Sequence, residues 1–176
     1  MSTTLKTENS EITLHEKVKK AKIGIAVAQW NKEITFTLRD GAKAFLEKHD
    51  ISGENIHIHL VSGAYELPLA AQFLLELGNM DAVIAIGCLI KGETPHFHYI
   101  SESVSLSLNN VALKYNKPVG FGVLTVDALE QAQERAGGKL GNKGEEAAEA
   151  VLQMLSLKET VQDNSRKGKQ IGFAGR

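Results

Sequence analysis

The longest apolar run in the chain, residues 81–90, constrains the fold more than any other stretch. It reads Asp-Ala-Val-Ile-Ala-Ile-Gly-Cys-Leu-Ile, so apolar residues follow one another instead of alternating with polar ones. Such a run is typical of a strand that is buried on both faces of a parallel sheet. A sheet of this kind needs a layer of helices on each face. The run therefore predicts a central strand between two helical layers.

Strand patterns alternate with helical patterns four times along the chain. The predicted strands cover residues 22–28, 55–61, 81–90 and 118–124. Helical spacing follows each strand, for example at Ile34, Leu38, Ala42 and Phe45 after the first one. The sequence therefore predicts a three-layer α/β/α sandwich around a mostly parallel, four-stranded sheet.

No linker or internal repeat divides this pattern, and we expect one domain over residues 21–158. Residues 1–20 are polar and are predicted to be a flexible arm, with a short strand near Ile12 to Leu14. From residue 159 onward the chain is polar and ends in basic residues, so residues 159–176 are predicted to be a disordered tail.

Composition narrows the class of protein. A chain of 176 residues with 43% hydrophobic residues can bury one ordinary core. The net charge of −1 argues against binding to nucleic acid or a membrane surface through overall charge. The single cysteine allows no internal disulfide, and no signal peptide or membrane span is recognisable, so we expect a cytoplasmic protein.

The residues after the central strand form the strongest candidate site. In open α/β sheets, ligands bind at the carboxyl ends of the strands. Thr94 is predicted to cap a helix that begins near Pro95, and the free N–H groups of its first turn would bind an anion. His96 would lie beside that anion, where an imidazole can transfer protons. The alternative is that His96 is an ordinary surface residue.

Other residues at the same edge have two interpretations each. Trp30 follows the first strand and either stacks on a planar ligand or packs over the sheet edge. Glu66 either orients a polar ligand or favours the helix dipole as an acid in the first turn. Arg135 is expected in the last turn of its helix for the same electrostatic reason, and Phe121 is most simply a core residue.

His57 and His59 lie two apart and share one face of the second strand. With His96 and His98 they could form a metal site, although a half-solvated edge strand explains the pair more simply. No convincing set of carboxylates accompanies them, so no metal is predicted.

Five blocks of sequence, in order, resemble the lumazine synthase family. They are Trp30-Asn31, Val61–Pro68, Gly87–Phe97, Phe121–Thr125, and Glu130–Gly137 with Gly141–Gly144. The resemblance implies a flavodoxin-like fold and a transferase of riboflavin biosynthesis. It would condense 5-amino-6-(D-ribitylamino)uracil with 3,4-dihydroxy-2-butanone 4-phosphate to give 6,7-dimethyl-8-ribityllumazine, phosphate and water. The resemblance implies no cofactor and no metal. It also implies a homo-oligomer, either a pentamer or an icosahedral capsid of pentamers.

The resemblance also assigns roles to particular positions. His96 matches the proton-transfer histidine, and Trp30 matches an aromatic residue that stacks on the pyrimidine. The segments that would hold the uracil and its ribityl chain are Ala64, Tyr65 and Glu66, and Cys88, Leu89 and Ile90. The residues that would lie near the phosphate are Glu93, Thr94, Arg135 and Lys143. Phe121 matches a residue that the neighbouring subunit contributes.

Three positions depart from the family pattern. Trp30 replaces the usual Phe, Ser62 stands where Pro is common, and His98 stands where an acid is frequent.

One alternative to the enzyme is a flavin-binding protein. It would fit the fold and Trp30 but would leave His96 and Arg135 unexplained. A purely structural shell is compatible with enzyme activity.

Overall fold

The computed structural model describes residues 12–171, with side chains up to Arg166. Its strands are β1 (Ile23–Ala28), β2 (Ile56–Val61), β3 (Ala82–Ile90), β4 (Val119–Val126), β5 (Ala136–Gly138) and β6 (Gly141–Asn142). Its α-helices are α1 (Lys32–Lys48), α2 (Leu67–Glu76), α3 (His96–Tyr115), α4 (Leu129–Arg135) and α5 (Lys143–Ile171). Short 3-10 helices cover Glu16–Lys20, Gly53–Asn55 and Ala64–Glu66.

Four parallel strands form the main sheet in the order β2-β1-β3-β4. Helices α1 and α5 cover one face, and α2 and α3 cover the other. This arrangement confirms the predicted three-layer sandwich. All four strands run in the same direction, so their carboxyl ends meet at one edge of the sheet. The loops that carry most of the predicted site residues leave the strands at that edge.

Strand β3 is buried on both faces, as predicted. Ile84 and Ile86 pack toward α1 and α5, whereas Val83 and Ala85 pack toward α2 and α3. Both isoleucines are 0% exposed, and burying a side chain of this size stabilises a fold by about 1.5–3 kcal/mol. Burial decreases only at Leu89 and Ile90, where the strand reaches the carboxyl edge.

The predicted cap of α3 is wrong. Pro95, not Thr94, occupies the N-cap position, and no side chain caps the helix there. The Pro95 oxygen accepts main-chain bonds from His98 at 3.0 Å and Tyr99 at 3.4 Å. Thr94 therefore lies one residue too early to reach the first turn, because a capping side chain must belong to the N-cap residue itself.

Two segments near the ends of the chain, residues 16–20 and 159–171, are more ordered than the sequence predicts. Helix α5 continues to Ile171, so the disordered tail predicted from residue 159 is wrong over that stretch. Residues 16–20 form a 3-10 helix in which Val18 is 2% exposed, and residues 12–15 contain no strand. The physical reason is that these two segments pack against each other, which no pattern in either one reveals. Residues 1–11 of the predicted arm and 172–176 of the predicted tail lie outside the described residues.

A short antiparallel hairpin, β5 and β6, joins α4 to α5 and was not predicted. Asn142 ends the hairpin and caps α5, as predicted, because its Oδ1 accepts bonds from Gly144 N at 2.8 Å and Glu145 N at 3.3 Å. The Asn142 Nδ2 also donates to the Thr37 oxygen over 3.0 Å. The cap therefore joins the start of α5 to α1.

Candidate active site

The loops after β1 and β2 are joined by main-chain hydrogen bonds at the carboxyl edge. Gln29 N donates to the Val61 oxygen over 2.9 Å, and Trp30 N donates to the Ser62 oxygen over 3.2 Å. These bonds continue the β1–β2 ladder beyond the strands. They place Trp30 beside the segment that begins at Gly63.

Trp30 is 74% exposed although it is the largest apolar side chain in the protein. Its Cδ1 lies 3.5 Å from the position that a Cβ on Gly63 would occupy, so the indole adjoins the Gly63 backbone. The Trp30 loop also forms one side of an open cleft of about 630 Å³. The cleft is lined by Gln29, Trp30, Asn31, Lys32, Glu33, Ile34, Ser62 and Leu129. An exposed indole beside a cleft can supply a flat stacking surface for a ring.

The turn Ala64–Glu66 presents two different surfaces. Ala64 is 6% exposed, and its Cβ packs over Gly87 of β3, so only its main chain is available to a ligand. Tyr65 and Glu66 are exposed. The Glu66 Oε2 accepts a bond from Gly63 N at 2.9 Å, which holds the turn in shape. One carboxylate oxygen of Glu66 is therefore used to close the turn.

At the carboxyl end of β3, mainly main-chain groups are available to a ligand. Cys88 is 3% exposed, and burial raises the pKa of its thiol to about 11. The thiol is therefore protonated at neutral pH and is not a nucleophile. The Cys88 oxygen accepts a bond from the Asn31 amide at 2.9 Å. Leu89 and Ile90 are half-buried and pack into opposite faces of the sheet.

Glu93, Thr94 and His96 are exposed at the start of α3. Helix geometry leaves the N–H groups of His96 and Phe97 without a partner inside the helix, and these groups favour an anion. The ring of His98 contacts Phe97 edge-on, with centroids 5.3 Å apart. The start of α3 thus combines anion-binding N–H groups with an accessible imidazole.

Three of the predicted site residues belong to β4, α4 and α5 and not to the loops described above. Phe121 is half-buried in the interior of β4, beside Ala85, on the face covered by α2 and α3. Arg135 ends α4, where its Nη1 donates to the Gln131 oxygen over 3.0 Å. Lys143 pairs with Glu146 at 2.6 Å. Phe121 therefore belongs to β4, the edge strand that we call the outer edge of the sheet. Arg135 and Lys143 belong to α4 and α5, which follow β4.

Helix α4 connects this outer edge with the cleft. Its first residue, Leu129, lines the cleft beside Trp30. Arg135 lies about 9 Å further along the helix axis, at 1.5 Å per residue. Lys91, directly after β3, pairs with Asp127 at 3.6 Å and so joins the ends of β3 and β4.

Sequence reasoning missed Asn31, Lys91 and Leu129 as parts of this edge. An Asn directly after a strand is a signal for a left-handed turn, but the pattern does not reveal what its amide contacts.

The metal alternative finds no support in the geometry. Among the side chains that the structure describes, none of which lies beyond Arg166, no group of three or more His, Cys, Asp or Glu residues comes together. Residues 12–171 contain no helix that is long and apolar enough to cross a membrane.

A sequence profile of the 6,7-dimethyl-8-ribityllumazine synthase family matches residues 20–159, which is most of the chain. The chain belongs to this family. The profile covers every element from β1 to β6 and most of α5, so it includes all the residues assigned above to the candidate site.

Curated relatives with the name 6,7-dimethyl-8-ribityllumazine synthase are similar over most of their length. The protein from Cytophaga hutchinsonii is 54% identical, over 76% of this chain and 84% of the relative. The protein from Campylobacter concisus is 49% identical, over 77% and 87% respectively. The protein from Porphyromonas gingivalis is 48% identical, over 79% and 86%. The four-stranded parallel sheet with helices on both faces is consistent with the flavodoxin-like fold of lumazine synthases.

Proposed function

We propose that this protein is a lumazine synthase of riboflavin biosynthesis. It condenses 5-amino-6-(D-ribitylamino)uracil with 3,4-dihydroxy-2-butanone 4-phosphate, and the products are 6,7-dimethyl-8-ribityllumazine, phosphate and water. The observation that carries the proposal is a shared sheet edge. That edge holds an exposed indole beside the Gly63 backbone and an exposed imidazole at the first turn of α3, in a chain of this family.

The pyrimidine binds at the Trp30 side of the edge. Its planar ring stacks on the Trp30 indole, which is exposed and therefore available. The turn Ala64–Glu66 and the segment Cys88–Ile90 hold the polar edge of the ring and the ribityl chain. Ala64 and Cys88 act through their main chains, because their side chains are buried.

The phosphate binds at the start of α3. The turn at Glu93 and Thr94 and the N–H groups of the first helical turn face the anion. Arg135 supplies a charge-assisted, bidentate pair, and Lys143 adds a second positive charge to the same pocket. The Arg135 Nη1 already donates to the Gln131 oxygen over 3.0 Å, and the guanidinium has further N–H donors with which to pair with the phosphate.

His96 transfers protons. An amine of the pyrimidine attacks the ketone and a water leaves, phosphate is eliminated, and a second amine closes the ring with loss of a second water. Each of these steps moves protons, and an imidazole both donates and accepts them near neutral pH. Its place on the first turn of α3 supports this role, because the phosphate in our proposal binds at the same turn.

Two subunits complete each site. Phe121 and Arg135 come from β4 and α4 of one subunit, and Trp30 and His96 come from its neighbour, in a head-to-tail ring. Apolar residues exposed on α2 and α3 support such packing. They are Leu69 and Phe73 on α2, Leu77 at its C-cap, and Leu106 and Leu113 on α3. The ring is a pentamer, and the short β5–β6 hairpin leaves room for pentamers to join into an icosahedral capsid.

The catalytic domain that we propose covers residues 21–158, and the enzyme works in the cytoplasm without a cofactor.

One assay tests the function directly. Purified protein mixed with both substrates should produce the fluorescence of 6,7-dimethyl-8-ribityllumazine and release one phosphate for each product. Omitting the phosphorylated ketone should abolish both signals. A folded protein that releases no phosphate above the uncatalysed rate would contradict the proposal. A monomeric mass by light scattering at micromolar concentration would contradict the ring.

A further inference from the structure

Asn31, the residue after Trp30, has a conformation and a side-chain contact that the start of α1 alone does not require. Its φ and ψ are 56° and 43°, in the left-handed region, which Gly, Asn and Asp adopt more readily than other residues. A side chain at the N-cap ordinarily accepts a bond from the first helical turn, but the Asn31 side chain makes no capping bond. Its main-chain oxygen accepts from Ile34 N at 2.9 Å and Thr35 N at 3.0 Å. The side-chain amide is therefore free to make another contact.

That amide bridges the end of β1 to the end of β3. The Asn31 Nδ2 donates to the Cys88 oxygen over 2.9 Å, and the contact is partly buried. Pairing between β1 and β3 ends at Val27 and Ile86. The next β1 oxygen, on Ala28, accepts from the Thr35 hydroxyl at 2.7 Å. The β1 backbone thus separates from β3 before it reaches the level of Cys88, although it stays bonded to the β2 side, and the Asn31 side chain restores the connection to β3.

We propose that Asn31 is a positioning residue that holds the Trp30 indole at a set distance from the main chain of Cys88–Ile90. The inference rests on the proposed function, in which these two surfaces bind one pyrimidine substrate from different sides. On its other side, Trp30 N donates to the Ser62 oxygen over 3.2 Å, which is long for an N–H···O bond. Binding to two surfaces at once requires that their separation is fixed before the ligand arrives.

Position 31 requires a left-handed backbone conformation and a side-chain amide that donates to the Cys88 oxygen. Asn satisfies both requirements, whereas Gly and Asp satisfy only the first. Gly and Asp adopt the left-handed conformation but have no amide to donate to the Cys88 oxygen. Asn31→Gly and Asn31→Asp should therefore fold and lose only the bridge. Asn116 provides a matched control, since it has φ 50° and ψ 42° and follows α3 at the opposite edge of the sheet. Asn116→Gly changes the same residue type in the same conformation, away from Trp30.

The first readout does not depend on activity. Trp30 is the only tryptophan in the chain, so intrinsic fluorescence reports on it alone. Time-resolved anisotropy of the free protein should show a larger fast component in Asn31→Asp and Asn31→Gly than in the wild type or Asn116→Gly. If both Asn31 variants show the wild-type decay, the bridge does not hold Trp30 and the inference is overturned.

The second readout separates positioning from chemistry. The KM for the pyrimidine should rise about 2- to 12-fold in both Asn31 variants, the effect of losing one hydrogen bond. The KM for the phosphorylated ketone and kcat should change less. A lower kcat with an unchanged pyrimidine KM would overturn the inference, because Asn31 would then act on the reaction itself. If the wild type makes no lumazine, the proposed function fails, and the anisotropy still decides whether Asn31 positions Trp30.

Discussion

The ammonium of Lys17 lies 2.8 Å from the carboxylate of Asp163 and 3.2 Å from that of Glu159. Lys17 belongs to the 3-10 helix before β1, and both acids belong to the last part of α5. The His15 Nε2 also contacts Asp163 at 3.2 Å, and His15 N donates to the Ser156 hydroxyl at 2.8 Å. These contacts join two segments from opposite ends of the sequence and account for a helix that continues past residue 158.

We predict that this junction depends on pH. Lys17 lowers the pKa of the Asp163 carboxyl below its ordinary 3.8. A lowered folded-state pKa stabilises the fold above the unfolded value, and this stabilisation is lost as pH falls through the lowered pKa. Asp163, and to a lesser extent Glu159, raises the pKa of Lys17 above its ordinary 10.5. The stabilisation from Lys17 is therefore complete below pH 10.5 and is lost as pH rises through the raised pKa. The junction should therefore be complete from about pH 5 to pH 10.

Hydrogen exchange tests this window. In Asp163→Asn, the main-chain amides of residues 16–20 should exchange faster than in the wild type at pH 7, and the difference should shrink as pH falls through the lowered pKa of Asp163. Asp40→Asn is the control, because Asp40 pairs with Arg39 on α1. Equal exchange in Asp163→Asn and the wild type at pH 7 would show that the ion pairs do not hold the segment.

His96→Ala should slow turnover without abolishing it. General acid–base groups typically contribute about 10²–10⁴-fold, and orientation of the substrates supplies much of the remaining rate. The measurement is kcat from lumazine fluorescence. His98→Ala is the matched control and should cost less, since the His98 ring packs against Phe97. Wild-type turnover in a folded His96→Ala protein would remove His96 from the mechanism.

Arg135→Ala should impair use of the phosphorylated ketone far more than binding of the pyrimidine. Losing a charge-assisted pair to phosphate costs about 1.5–3 kcal/mol. Steady-state kinetics gives the ketone KM, and titration calorimetry gives the pyrimidine affinity. Lys139→Ala removes a nearby exposed charge from the hairpin and should have little effect. A similar loss of affinity for both substrates would exclude Arg135 as the phosphate ligand.

His96→Ala and Arg135→Ala subunits should complement each other when they are unfolded, mixed equally and refolded together. Each site of a head-to-tail ring joins two different faces. With random assembly, about a quarter of the sites would combine an intact His96 face with an intact Arg135 face. Activity should then approach a quarter of the wild type. If proven subunit exchange yields only the average of the two variants, both residues belong to one subunit's site.

Gly144→Ala should destabilise the fold strongly. A Cβ on Gly144 would overlap the Leu38 main-chain oxygen where α5 crosses α1, so the two helices would have to separate. Overpacking of this kind costs about 1–3 kcal/mol or more. Gly92→Ala is the control, because nothing lies within 4 Å of its Cβ position. Thermal unfolding should show a clearly lower Tm for Gly144→Ala alone, and equal Tm values would contradict the close crossing.

Local pattern was enough to predict the architecture. Strand β3 is apolar at nearly every position because both of its faces are buried, and α1 repeats apolar residues at helical spacing because one face packs on the sheet. The cap at Asn142 was also predictable, since Asn bonds to backbone groups only two or three residues away. The position of His96 and Trp30 at one sheet edge follows from the shared direction of parallel strands.

The tertiary structure decided what depends on distant partners. The amide of Asn31 meets Cys88, which is 57 positions away, and no spacing rule predicts that contact. Helix α5 continues past residue 158 because charges near residue 17 face it, although its own composition favours disorder. The roles of Phe121, Arg135 and Lys143 stay predictions, since no contact in the structure joins these residues to His96 or Trp30. The sequence determined where strands, helices and reactive side chains occur, because short-range periodicity encodes burial. Which side chains meet depended on packing between segments, because that energy is shared by residues far apart in the chain.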